Sequence, residues 1–147
     1  LFSRAVEEGL IDPKRCVQVG IRGTAASHDY WQFSYDHGMR VMLIEEVYEL
    51  GIKATIAEMR RVVGSGPCYL TFDIDSIDPA FAPGTGTPEV GGLTSLEALM
   101  LVRGMVGLDI AGADLVEVAP PFDQTGNTAH LAANVLFEIL CAMTGGK

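Results

Sequence analysis

Short apolar runs alternate along the chain with longer segments whose apolar residues recur at helical spacing. This alternation is typical of repeated βα units and predicts a parallel sheet covered by helices. The predicted strands are rich in Val, Ile, Leu and aromatic residues and span residues 16–21, 41–44, 68–72 and 110–118. We therefore expect an α/β fold with three layers, in which helices cover a parallel sheet.

Helices are predicted between these strands at residues 27–37, 45–50, 53–63, 94–106 and 128–143. Gly38 and Gly51 follow two of them, as is common at helix C-termini. Thr94 and Glu97 have the spacing of a capping box, which marks the start of the fourth helix. We expect that helix to turn Leu96, Leu99 and Met100 toward the core. The whole pattern predicts one domain without an internal linker.

Charge and hydropathy narrow the class of protein. The 147 residues carry 10 Lys and Arg against 19 Asp and Glu, so the net charge is -9. This charge disfavours binding to nucleic acid or anionic membranes, and we find no apolar segment long enough to span a bilayer. The three cysteines are odd in number and widely separated, which favours reduced thiols and a cytoplasmic location.

Two acids follow the apolar run 68–72 at positions i and i+2, and these are Asp73 and Asp75. In an extended chain this spacing places both carboxylates on one side, at the strand end where α/β proteins bind ligands. Two neighbouring carboxylates repel unless a cation holds them, so a divalent metal is expected: Mg²⁺ or Mn²⁺ with oxygen ligands, Mn²⁺ or Zn²⁺ with added imidazole.

Two other interpretations of these acids stay open. Asp73 and Asp75 could simply cap the following turn, which is the role we expect for Asp78 before Pro79. In a phosphatase similar to the haloacid dehalogenases, Asp73 would be a nucleophile and Asp75 a general acid. That family, however, usually has Thr or Val where Ile77 stands, and no downstream acidic pair is found.

The loop after these acids carries a more specific signal. The segment FDIDSIDPAFAPGTGTPEVGGL resembles the last signature of the ureohydrolase family, which contains arginases and agmatinases, and DLVEVAPPFD resembles its substrate-side strand. The likeness extends from AVEEGLIDPKR through VQVGIRG to NTAHLAANVLFEIL, and it is greatest to agmatinase and its guanidino-acid relatives. It implies the C-terminal part of an arginase-like fold, with residues 1–147 belonging to one domain whose N-terminal part is missing.

The resemblance also implies chemistry for particular residues. Asp73 matches a carboxylate that bridges two Mn²⁺ ions, and Asp75 matches a metal ligand that is also catalytic. Glu117 matches the catalytic carboxylate that binds the substrate guanidinium, and Thr87 is a weaker candidate for substrate binding. In the full-length protein a metal-bridging hydroxide would convert agmatine to urea and putrescine.

Some implied features lie outside this sequence. The family's upstream metal-binding segments are absent, and His28, His37 and His130 do not match them, so we expect the fragment alone to be inactive. Alternatives are a non-catalytic homologue, or a guanidinobutyrase or guanidinopropionase. Arg22 is a weak candidate for binding a substrate carboxylate. The likeness implies a small guanidino substrate and a trimer or hexamer, in the cytoplasm or, in a eukaryote, the mitochondrion.

Overall fold

The computed structural model describes residues 2–23 and 31–145. Every predicted strand is present within a few residues, and so is every predicted helix, although residues 27–30 of the first lie outside the described ranges. The helices are α1 (Phe2–Glu7), α2 (Gln32–Asp36), α3 (Ile44–Leu50), α4 (Ile52–Val63), α5 (Ser95–Arg103) and α6 (Asn127–Met143), and the strands are β1 (Val17–Ile21), β2 (Arg40–Leu43), β3 (Cys68–Asp73) and β4 (Ile110–Val116).

The strands form two parallel pairs. In the first, β1 pairs with β2 with Val17 opposite Arg40, and in the second, β3 pairs with β4 with Asp73 opposite Val116. No ladder joins the two pairs within the described ranges. Parallel pairing confirms the prediction, since each crossover contains a helix. Because β3 and β4 run in parallel, their carboxyl ends, with Asp73 and Glu117, lie at the same edge.

Helix boundaries follow local chemistry. The capping box is present at the start of α5: the Thr94 hydroxyl accepts from the Glu97 N–H at 3.2 Å, and the Glu97 carboxylate accepts from the Thr94 N–H at 2.8 Å. Gly51 lies between α3 and α4 with φ 77°, a conformation that favours glycine. These residues set where the helices begin and end.

Apolar side chains from helices and strands pack in three clusters. The largest lies between β3, β4, α5 and α6 and includes Phe72, Ile74, Val135 and Ile139. The predicted inward face of α5 is wrong at Leu96 and Met100, which are 59% and 41% exposed, whereas Leu99 packs against the largest cluster as predicted. The helix instead buries Ala98, Leu101 and Val102, a second apolar face of the same helix.

Two further features bear on the expected class of protein. The three cysteines are free and half-buried. Within the described part of the chain, no helix is both long and apolar enough to cross a membrane.

Candidate metal and substrate site

Strand β3 ends at Asp73, and the chain turns at once into a short 3-10 helix, Ile74–Ser76. The Asp73 carboxylate caps this turn by accepting the Asp75 N–H at 3.0 Å, and the Ser76 hydroxyl donates to the Asp73 carbonyl at 2.6 Å. Ile74 is fully buried and anchors the turn in the core. The expectation that Asp75 continues an extended chain is wrong, since the turn brings the two carboxyl groups together.

The electrostatics of Asp73 show how crowded this acidic site is. Burial raises the pKa of Asp73 to about 6; the Asp75 N–H opposes this shift, and the carboxyl groups of Asp75 and Glu117 add to it. Among the described residues, no Arg, Lys or His forms an ion pair with Asp73 or Asp75. Half-buried acids without a counter-ion fit a divalent cation, which would hold both in the charged form.

The described ranges contain no group of three His, Cys, Asp or Glu side chains placed to hold a metal ion. Asp73 and Asp75 could thus supply two oxygen ligands of a hard cation such as Mn²⁺, with further ligands from other residues.

Asp78 has the structural role that the sequence predicted. Its carboxylate accepts the N–H groups of Ala80 and Gly91 at 2.8 Å and that of Gly92 at 3.2 Å. These bonds, chiefly the one from Ala80, lower the pKa of Asp78. Asp78 therefore closes the loop after β3 and does not take part in the acidic site.

Thr87, in the Gly- and Thr-rich loop, contacts the acidic site directly. Its hydroxyl donates to Oδ2 of Asp75 at 2.9 Å. This contact joins two of the predicted site residues across 12 positions of sequence and orients one carboxylate oxygen of Asp75.

A second set of contacts holds the start of this loop, and sequence reasoning missed it. The Gly84 N–H donates to the Thr128 hydroxyl, and the Ala119 N–H donates to the Gly84 carbonyl, both at 2.8 Å. A Cβ atom at Gly84 would lie 2.4 Å from the Cβ of Asp123. Asp123 in turn accepts the N–H groups of Thr128 and Ala129 at the start of α6. The glycine and the aspartate were visible in the sequence, but no spacing rule links them.

Glu117 directly follows β4 and is the single non-glycine residue with a positive φ, 66°, in the described ranges. The predicted strand to residue 118 stops at Val116, because a left-handed residue cannot continue the ladder. Glu117 is exposed and directly follows Val116, which pairs with Asp73, and its charge contributes to the raised pKa of Asp73. A strained residue of this kind often marks a functional site.

The two described histidines, His37 just after α2 and His130 on α6, contact residues of the adjacent or same helix. Nδ1 of His37 lies 2.8 Å from the Phe33 carbonyl at the end of α2, and Nε2 of His130 lies 3.4 Å from the Asn134 amide on α6. Both residues are exposed. His28 lies outside the described residues.

Comparison with known proteins gives consistent matches. Residues 1–142 match the arginase family. The chain is 60% identical over 142 residues to a guanidinopropionase of Pseudomonas aeruginosa, covering 97% of this chain and 45% of that protein. It is 51% identical over 146 residues to a mitochondrial agmatinase of Gallus gallus, covering 99% of this chain and 43% of that protein. The chain thus spans less than half the length of these relatives.

The fold has a close counterpart among solved structures. The proclavaminate amidino hydrolase from Streptomyces clavuligerus superimposes with a TM-score of 0.93 at 42% identity, covering 99% of this chain and 48% of that one. This similarity confirms the predicted fold class, a parallel α/β architecture covered by helices.

Proposed function

The chain belongs to the arginase family, and on this premise we propose that the full-length protein hydrolyses a guanidino compound to urea and an amine. The observation that carries the proposal is the contact of Asp73, Asp75 and Thr87 after β3, with Glu117 following β4 at the same edge of the pair. In α/β sheets this edge is where ligands bind. The family match and the site chemistry therefore agree.

Asp73 and Asp75 are the residues of this chain that we assign to metal binding, and their carboxylates would hold manganese in the full-length protein. Their carboxylates fit a cation because they are half-buried, adjacent and without a cationic partner among the described residues. Bound manganese would supply Lewis-acid activation of water for the hydrolysis.

Glu117 is the residue we assign to the substrate. A planar guanidinium cation is best recognised by a carboxylate that accepts two parallel N–H bonds. The left-handed backbone at Glu117 directs the chain away from the ladder at this point, next to the acidic pair. Thr87 contributes by orienting Asp75 through its hydroxyl.

Two substrate classes are supported by different observations. The sequence motifs favour agmatine, which would give putrescine. The 60% identity to a guanidinopropionase, against 51% to an agmatinase, favours a short guanidino acid as the second candidate. Comparing kcat/KM for agmatine, guanidinopropionate and guanidinobutyrate on the full-length protein would separate them.

The central test is Asp75→Asn in the full-length protein loaded with Mn²⁺. We expect urea release to fall at least a thousandfold and the manganese content to drop, since a metal ligand is lost. Asp109→Asn is the matched control, because Asp109 precedes β4 at the opposite edge and its side chain is exposed. Full activity in Asp75→Asn, or no urea from any of the three substrates with the unaltered protein, would contradict the proposal and favour a non-catalytic homologue.

Assembly and location are proposed from the family. We propose a homo-oligomer, a trimer or hexamer, which sedimentation of the full-length protein would measure. We propose a cytoplasmic location, with a mitochondrial one in a eukaryotic source, which fractionation of the native cells would test.

A further inference from the structure

Arg22 lies directly after β1, at the same side of the fold as the acidic site. Its Nη2 donates to the Asp75 carbonyl at 2.5 Å and to the Glu89 carbonyl at 2.6 Å, and its Nε donates to Glu89 at 3.2 Å. A longer contact of 3.5 Å reaches the Ile77 carbonyl. Arg22 thus binds main-chain oxygens, whereas the sequence suggested a substrate carboxylate.

The carbonyls of Asp75 and Glu89 lie on either side of Thr87 in the sequence. Asp75 lies in the 3-10 helix that precedes the loop carrying Thr87, and Glu89 lies two residues beyond Thr87. By binding both carbonyls, Arg22 closes the loop at the point where the Thr87 hydroxyl meets Oδ2 of Asp75. Several donors on one planar group suit this task, and a lysine ammonium lacks that fixed geometry.

The residues around Arg22 leave space for its guanidinium group. A Cβ atom at Gly92 would lie 2.8 Å from Nη2 of Arg22, so glycine leaves the space that the guanidinium occupies. The charge of Arg22 also helps to lower the pKa of Asp78, whose carboxylate holds the far end of the same loop. The positive charge is therefore placed beside a structural acid.

A second arginine offers a natural comparison. Arg15 lies before β1, and its guanidinium binds the carbonyls of Val63, Gly66 and Pro67 at 2.8 to 3.3 Å. These residues precede β3, whereas the partners of Arg22 follow it. Both arginines thus bind main-chain carbonyls, Arg15 before the start of β3 and Arg22 after its end. Of the two, only Arg22 contacts a residue of the acidic site.

We propose that Arg22 is a positioning residue. By binding the carbonyls of Asp75 and Glu89, it holds Asp75 in place for metal binding and holds Thr87 against the Asp75 carboxylate. This inference rests on the proposed function for its catalytic consequence. Its structural part, the ordering of the loop and of the Asp75 ligand, does not depend on which substrate is used.

The test compares Arg22→Lys with Arg15→Lys in the full-length protein. For Arg22→Lys we expect at least tenfold weaker Mn²⁺ binding by titration calorimetry and faster hydrogen exchange at residues 75–89. For Arg15→Lys we expect unchanged Mn²⁺ affinity and faster exchange only near residues 63–67. Arg22→Gln, which keeps a planar donor, is made in parallel so that the result does not depend on one variant folding.

Kinetics separate positioning from substrate binding. In Arg22→Lys we expect kcat to fall at least tenfold, with excess Mn²⁺ restoring part of it, and the ratio of KM values for guanidinopropionate and agmatine to stay constant. A selective rise of KM for guanidinopropionate with normal Mn²⁺ affinity would instead make Arg22 a substrate anchor. Equal effects of both arginine variants on Mn²⁺ affinity would also overturn the proposal.

Failure of the proposed function would look different. The unaltered protein would then release no urea from any guanidino compound, while exchange at residues 75–89 would still report on Arg22. Slow exchange there in the unaltered protein and fast exchange in Arg22→Lys would support the positioning role, whereas equal exchange in both would refute it.

Discussion

Single residues in this protein combine chemical and conformational roles, and Glu117 is the clearest case. Its carboxylate adds to the charge that acts on Asp73, and its backbone adopts φ 66°, which costs a residue with a Cβ atom about 1 to 2 kcal/mol. That cost is consistent with selection for the position of the side chain rather than for stability. The sequence showed the acid but not its backbone conformation.

The positive φ of Glu117 predicts that glycine at this position is more stable than alanine, although neither variant is active. We expect Glu117→Gly to have a free energy of unfolding about 1 kcal/mol higher than Glu117→Ala, because glycine adopts positive φ without a Cβ clash. Both variants should lose urea release in the full-length protein. Urea unfolding monitored by circular dichroism measures the difference, and equal stability of the two variants would argue against backbone strain.

Close approach at Gly84 gives a second prediction at this scale. We expect Gly84→Ala to destabilise the fold by about 1 to 3 kcal/mol, because its methyl group would meet Asp123 and the Thr128 hydroxyl at 2.4 and 2.9 Å. Gly86→Ala is the control in the same loop, since a Cβ there has no neighbour within 4 Å. Thermal unfolding compares them, and similar melting temperatures would show that the contact is not tight.

At the scale of elements, the sequence predicted what local chemistry determines. The capping box at Thr94 and the glycine after α3 gave helix ends within a few residues. The inward face of α5 was predicted wrongly at Leu96 and Met100 because apolar residues cover most of that helix, so periodicity alone could not choose between two faces. The contacts of Arg22 and Gly84 were missed because they join positions far apart in sequence.

An ion-pair cluster between elements makes a prediction about pH. Glu58 on α4 accepts from Arg61 at 2.7 Å and from Arg40 of β2 at 3.1 Å, and these bonds, first that from Arg61, lower the pKa of Glu58 from 4.5 to about 2. Because the pKa of Glu58 is lower in the folded state than in the unfolded state, the charged carboxylate stabilises the fold at pH values above its unfolded-state pKa. This stabilisation is lost as the pH falls from 4.5 to about 2.

We therefore expect Glu58→Gln to be less stable at neutral pH by about 1 kcal/mol, a modest value because Arg61 is exposed. The difference from the unaltered protein should shrink as the pH falls through the window given by the two pKa values. Glu49→Gln, at an exposed position on α3 without an ion pair among the described residues, should show no such dependence. Urea unfolding at several pH values measures both variants, and a constant difference would contradict the assignment.

At the scale of the whole molecule, the described residues present one side of a site. Two acids, a guanidinium-binding candidate and a loop lie at one edge, while the chain spans 45% of a relative such as the guanidinopropionase. Fold class and the principal acids could be predicted because they are local in sequence. The complete ligand set could not, because the described residues contain no third metal-binding side chain beside the pair.

The lack of a third metal-binding side chain among the described residues predicts how residues 1–147 behave on their own. We expect weak Mn²⁺ binding, because two carboxylates without further ligands hold a divalent ion poorly. Titration calorimetry measures it, and the double variant Asp73→Asn, Asp75→Asn should abolish the remaining heat. Tight uptake of two Mn²⁺ ions by this chain would refute the prediction.

The division of the strands into two separate pairs has a consequence for handling the protein. In the described ranges each of the four strands has a single strand neighbour, so each leaves a row of main-chain N–H and C=O groups without a ladder partner. Such rows template pairing with other polypeptides and promote aggregation. Recombinant production of these residues alone should accordingly favour insoluble material at high concentration.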